Sequence, residues 1–205
     1  MTRREMTKTT IWLLPLVALA LALGTVVSCG NRHAGAAGGG EASDDDASPA
    51  DDDTAQTVWI DPTSGLTWQN GATVGAESYV WQDAQNYCAG LNWDGAGNWR
   101  LPTISELRSL IQGCPTTVTG GSCGVTDQCL RADCWNPTCS CPYGGGPGPA
   151  CSYWPAELSG SVGAYAYWSS SPVANRPRFA WLVQFYSGYI GVNEVGYPAL
   201  ARCVR

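Results

Sequence analysis

The sequence predicts an α+β domain, two helices followed by a late antiparallel sheet. Three observations carry that reading. Val80, Ala84, Cys88 and Leu91 recur at helical spacing, and so do Ile104, Leu107, Leu110 and Ile111. The stretches "AYAYWSSSP", "AWLVQFYSGYIGV" and "ALARCVR" near the C-terminus are aromatic or β-branched and are punctuated by Gly, Asn or Pro, as strands are.

The chain opens on an address. Arg3, Arg4 and Lys8 precede an apolar run from Ile11 to Val27, the charged and hydrophobic regions of an export signal over residues 1–28. The run ends in "VVSC", which resembles a bacterial lipobox. That resemblance implies cleavage before Cys29, lipidation of its thiol and, because Gly30 follows, anchorage in the outer membrane. Residues 29–57 then read as the lipidated cysteine and an acidic tether. Beyond Cys29 this stretch has one Arg against seven acids (1 − 7 = −6) and no hydrophobic run, so it lacks the apolar surface needed to offset ordering entropy. As a flexible coil it reaches about 30 Å.

Residues 58–205 form the folded part. They carry seven Arg against nine acids (7 − 9 = −2), with no Lys and no His, since Lys8 and His33 lie upstream. A basic face for nucleic acid is therefore not expected. "VWIDPTSGLTWQ" (58–69) is a hairpin signal, two aromatic strands around a Pro-Thr-Ser-Gly turn. The first helix is predicted over 79–91, with Cys88 on its buried face. Then "NWRLPTISELRSLI" joins two objects at Pro102. The residue before proline is pushed to extended dihedrals, so the second helix begins after it. Thr103 with Glu106 three positions on is a capping box.

Residues 112–157 are rich in Gly and Pro, lack periodicity and hold seven cysteines between Cys114 and Cys151. They read as a disulfide-bearing insert. An exported chain favours oxidised cysteines. Ten cysteines less Cys29 leave nine (10 − 1 = 9), so three bridges with one thiol over is the simplest state of the insert, in a pairing the sequence does not fix. A zinc site is the rival reading. The Cys129, Cys134, Cys139, Cys141 spacing fits it only in part and no histidine is at hand, so no metal is expected.

"DPTSGLTWQ", "NYCAGLNW", "NWRLPTISELRSL", "YWSSSP" and a closing "ARCVR" occur here in an order that resembles the Lcl C-terminal domain family, a bacterial extracytoplasmic family. The resemblance covers 58–111 and 164–205. It implies a C-type lectin-like fold, related to the formylglycine-generating enzyme group, and with it a long-range bridge from Cys88 to Cys203. Lectins of this fold bind sugar through calcium held by amide and carboxylate side chains flanking a proline. "YWSSSP" offers only hydroxyls there, so the resemblance does not extend to that site.

Binding is the expected class of function, and catalytic residues, metal and cofactor are expected to be absent. Without histidine there is no Ser-His-Asp or Cys-His arrangement, and Ser169, Ser170 and Ser171 read as turn-forming residues at a strand end. Asp83, Asp94, Glu106, Glu157 and Glu194 are scattered, and the reactive cysteine pair of the formylglycine-generating relatives is not matched. The ligand is expected to be a glycan or a protein, met by aromatic side chains of the insert, Trp135, Tyr143, Tyr153 and Trp154. Arg176, Arg178, Arg202 and Arg205 are the expected exposed cations, the first two candidates for ligand contact. Arg100 is expected in a buried pair with a carboxylate, and Trp59, Trp68, Trp81, Trp99 and Trp168 in the core. A structural envelope role and a divergent enzyme are the alternatives.

Overall fold

A computed structural model of the chain describes residues 57–160 and 165–205. The expected signal, Cys29 and the tether up to residue 56 lie outside the described residues.

Two short strands, β1 (Thr57–Ile60) and β2 (Thr67–Asn70), make the expected hairpin, with Trp59 opposite Trp68. The Asp61 carboxylate closes its turn by accepting from the Thr63 amide and the Ser64 hydroxyl. Strand β3 (Ser78–Tyr79) precedes α1 (Trp81–Ala89), which buries Ala84 and Cys88 on one face. The helix is shorter than 79–91 at both ends. Tyr79 is taken by pairing with Ala199, and Gly90 caps the last turn with its amide on Asn86.

The second helix, α2 (Ile104–Ser109), begins where the capping box placed it. A helix of six residues cannot hold itself in water, and its first amides lack intrahelical acceptors. All four are met by side chains. The Thr103 amide donates to Glu106 (2.8 Å), Ile104 to the Ser171 hydroxyl (2.9 Å), Ser105 to Asp127 (3.2 Å) and Glu106 to the Thr103 hydroxyl (3.2 Å). Arg100 forks onto the same Glu106 carboxylate with two bonds of 2.6 Å, but its side chain is about half exposed, so the expected pair exists and its burial does not. Burial pushes the Glu106 carboxyl up; Arg100 and the Thr103 amide outweigh it and hold the pKa below the ordinary value.

The last strands are β4 (Tyr167–Pro172), β5 (Phe179–Gln184), β6 (Tyr189–Glu194) and β7 (Ala199–Leu200). They form one sheet with β3 in the order β3-β7-β4-β5-β6, antiparallel except where β7 runs parallel to β4. The chain end then threads back to the start. Arg205 exchanges amide and carbonyl bonds with Thr67, and Val204 exchanges both with Arg100, so residues 203–205 lie between β2 and the strand end that feeds α2. Cys88 and Cys203 are joined, which ties α1 to this last segment across 115 residues. In the chain-entropy account, closing such a loop stabilises by up to about 4–5 kcal/mol.

The insert has two 3₁₀ turns, Ala132–Cys134 and Pro149–Cys151, and bridges Cys114–Cys141, Cys123–Cys139 and Cys129–Cys134. Cys151 stands outside those three pairs, and no described cysteine is free, so the expected leftover thiol is not found. Nor is the insert a detachable appendage. Cys114, Val125, Cys139, Tyr153 and Trp154 belong to the same apolar cluster as Leu107, Trp181 and Ile190.

Thr103→Ala removes the acceptor for the Glu106 amide and the donor to Asp127 at 2.8 Å. It is expected to lower unfolding free energy by about 1–2 kcal/mol, seen as a lower denaturant midpoint at unchanged slope, with Thr103→Ser recovering most of the loss.

Candidate functional site

A cleft of about 310 Å³ opens where the insert meets the edge strand β6, lined by Ala132, Trp135, Arg176, Trp181, Tyr189 and Val192. Its walls are aromatic. Trp135 leaves the 3₁₀ turn fastened by Cys129–Cys134, and its indole N–H donates to the Ile190 carbonyl at 2.8 Å. The ring stands edge-on to Tyr189, centroids 6.5 Å apart, with 38% of the residue exposed. Trp181 is buried and donates its indole N–H to Leu130. Tyr189 lies along β6 over Gly191, where a Cβ would overlap the ring. Burial raises its phenol pKa, so it is a neutral hydroxyl at physiological pH.

Arg176 supplies the charge. It sits in the turn between β4 and β5, where its amide donates to Val173 and its carbonyl accepts from Phe179. The same loop is held to the insert by the Ala174 amide on Leu130 and by the Asn175 side chain, which accepts from Ala132. Its guanidinium is exposed, and among the described residues no carboxylate lies within ion-pair distance of it. Neighbouring charges are already paired, Arg131 with Asp133 at 3.1 Å and Arg178 with Glu194 at 3.7 Å.

Of the six residues expected to meet a ligand, the structure brings together Trp135 and Arg176. Tyr143 is 66% exposed and packs on Tyr186, outside the cleft lining. Arg178 is exposed beside Glu194. Tyr153 and Trp154 correct the expectation, for both are buried. Trp154 stacks on Tyr167 at 5.3 Å and meets Phe185 edge-on at 4.4 Å. An irregular insert needs apolar anchors of its own, and these two residues are its anchor in the core.

Arg202 is a second correction. It was expected at the surface, and it is fully buried, its guanidinium 4.7 Å from the Trp154 ring centre and donating to the carbonyls of Gln69 and Ser159. Burial pulls its pKa down, and Tyr167 opposes that shift. Arg205 is exposed as expected and sits over Trp99. Trp68, Trp99 and Trp168 are buried, while Trp59 and Trp81 are half-buried. Sequence reasoning missed Trp181, Tyr189 and Val192 as cleft residues. The sequence clue to them was "YIG", a glycine two residues after a tyrosine on one strand face, which leaves room for the ring to lie down.

The three serines of β4 are engaged with backbone. Ser169 donates to Trp181, Ser170 to Pro102, and Ser171 accepts from Ile104. Among the described residues no cluster of three or more His, Cys, Asp or Glu is placed to hold a metal, and the insert cysteines that resembled ligands are oxidised in pairs.

The family description "Lcl C-terminal domain" matches residues 57–205, from the first strand to the last residue. The chain belongs to the Lcl C-terminal domain family. No curated protein matches it. The Lcl C-terminal domain here is an α+β, disulfide-bonded domain of an extracytoplasmic family, and both features indicate export. Among the described residues no helix is long and apolar enough to cross a membrane.

Trp154→Ala is expected to lower stability by about 3–5 kcal/mol, whereas Trp135→Ala should shift the thermal transition little. Calorimetry of the two variants beside the parent chain distinguishes core from cleft wall.

Proposed function

We propose that this is a lipid-anchored envelope protein whose Lcl C-terminal domain binds a glycan or protein partner and performs no catalysis. The observation that carries the reading is the Trp135, Arg176 and Tyr189 cleft: two aromatic faces beside a cation that has no carboxylate on it among the described residues. Flat apolar faces with polar edges suit sugar rings and protein side chains alike. An exposed guanidinium adds a donor fork for an anionic or hydroxylated group.

A C-type lectin-like fold is part of the proposal. It is supported by the return of the chain end beside the first hairpin, and by the bridge from α1 to the last segment. Sugar binding in this reading needs no calcium: the lectin resemblance puts the β4 serines in place of the calcium ligands, they offer only hydroxyls, and those are bonded to backbone. Binding of the full chain to a glycan array and to candidate surface proteins, with and without EDTA, is the test. Specific binding that survives EDTA and is lost in Trp135→Ala supports the reading. A chain that binds nothing, or that turns a bound ligand over, defeats it.

The anchor rests on "VVSC" and the charged, apolar run before it. Cys29→Ala is expected to move the protein from the membrane fraction to the soluble one without unfolding the domain. Equal retention of the variant, or recovery of Cys29 in a disulfide in the parent, overturns the anchor, since a thioether-lipidated sulfur cannot also be oxidised to a bridge.

A further inference from the structure

The cleft's position on β6 says more than its composition. Side chains alternate along a strand, so Val192 and Tyr189 project from opposite faces of β6, and both line the cleft. Trp181, directly across from Val192 on β5, lines it from Val192's side. The cleft therefore lies across the free edge of the sheet. β6 is the last strand in the order, so every second residue points its amide and carbonyl away from β5.

Two of these outward residues are satisfied. The Ile190 amide donates to Cys139, and its carbonyl accepts from Trp135. The Glu194 amide donates to Asn193, and its carbonyl accepts from Tyr197. Between them Val192, in the same phase, has no partner for either group among the described residues. The residue that carries this open backbone pair lines an aromatic cleft, and Arg176 lines the same cleft.

We propose that this cleft takes an extended, acidic polypeptide segment of a partner protein, one residue of which pairs with Val192 while a neighbouring carboxylate reaches Arg176. The inference rests on the binding reading above and names its ligand class. The amide and carbonyl of Val192 point the same way, and a residue in extended conformation presents its own amide and carbonyl likewise, so two bonds close at once. An N-acetyl sugar does not match. Its acetamido group is trans and planar, with N–H and C=O pointing in opposite directions within that plane, and it meets only one of the two. The charge complement is acidic because, among the described residues, Arg176 is the one charged residue lining the cleft and no carboxylate lies within ion-pair distance of it.

The test is selection of a random peptide phage library on the full chain, followed by affinity measurement of the enriched synthetic peptides on variants. The proposal expects peptides that pair an acidic residue with an aromatic or β-branched one. Val192→Pro deletes the outward amide without touching a ladder bond to β5 and should weaken binding about tenfold or more. Arg176→Gln should weaken acidic peptides selectively. Should Val192→Pro misfold, amide exchange of Val192 in the parent serves instead: fast in the free chain, slowed when peptide is bound. No enrichment, binding indifferent to Val192→Pro in a folded variant, or a Val192 amide already protected in the free chain overturns the inference. Glycan binding lost in Trp135→Ala, with no peptide binding, overturns this inference alone and leaves the binding function standing.

Discussion

The start of α2 is the point on which the rest of the domain depends. Its four leading amides are bonded by side chains drawn from three places: its own capping box, Ser171 of β4 and Asp127 of the insert. Each bond contributes only about 1 kcal/mol net, but a buried amide left without its acceptor costs more than that. The helix is thus possible only when sheet and insert are both in place. Conversely Asp127, fixed by Thr103 and Ser105, and the Arg100 strand end, fixed by Glu106, have their positions set by the helix. The junction at Pro102 is where three segments of low intrinsic order become mutually consistent.

Two buried arginines repeat that logic elsewhere. Arg108, one helical turn beyond the cap, is buried and donates to the carbonyls of Thr117, Val118, Gly121 and Val125. A loop without secondary structure has carbonyls that nothing local can satisfy. A guanidinium with five donors in a fixed fork supplies several at once. Arg202 serves the β2 end and Ser159 in the same way, with Trp154 as its floor. Neither meets a described carboxylate within ion-pair distance, so the compensation for desolvating the charge comes from carbonyl dipoles and, at Arg202, from an aromatic face.

What was legible in the sequence follows from this. Elements set by local chemistry could be read: the Thr103–Glu106 box, the hairpin at Asp61, Cys88 on a buried helical face. Elements set by partners distant in sequence could not. Arg108 and Arg202 look like any surface arginine, because what buries them is a set of backbone carbonyls that carry no side-chain signature. Tyr153 and Trp154 were read as exposed because loop composition was taken for exposure, whereas a long insert stays attached only by sending aromatics into the core. At the cleft, Trp135 and Arg176 were found by residue type. Val192 was missed because its relevance is a backbone position at a sheet edge, a property of topology.

The disulfide-rich insert is best understood as the cover of that edge. Unpaired edge strands invite association with other chains, and folded proteins cover or blunt them. Here the Cys141 amide bonds to Ser187, Gly144 to Tyr186, and Ile190 to Cys139, so the cross-linked loop runs along the approach to β6 and its first turn. Beyond Ile190 the cover ends with the indole of Trp135 on that residue's carbonyl. The cleft is the place where the cover stops one residue pair short of the strand's own closing turn. The three insert bridges between described residues therefore do more than restrict the unfolded chain. By fixing Trp135 through Cys129–Cys134, and the covering backbone through Cys114–Cys141 and Cys123–Cys139, they set how much of the edge stays open and hold an aromatic wall beside it.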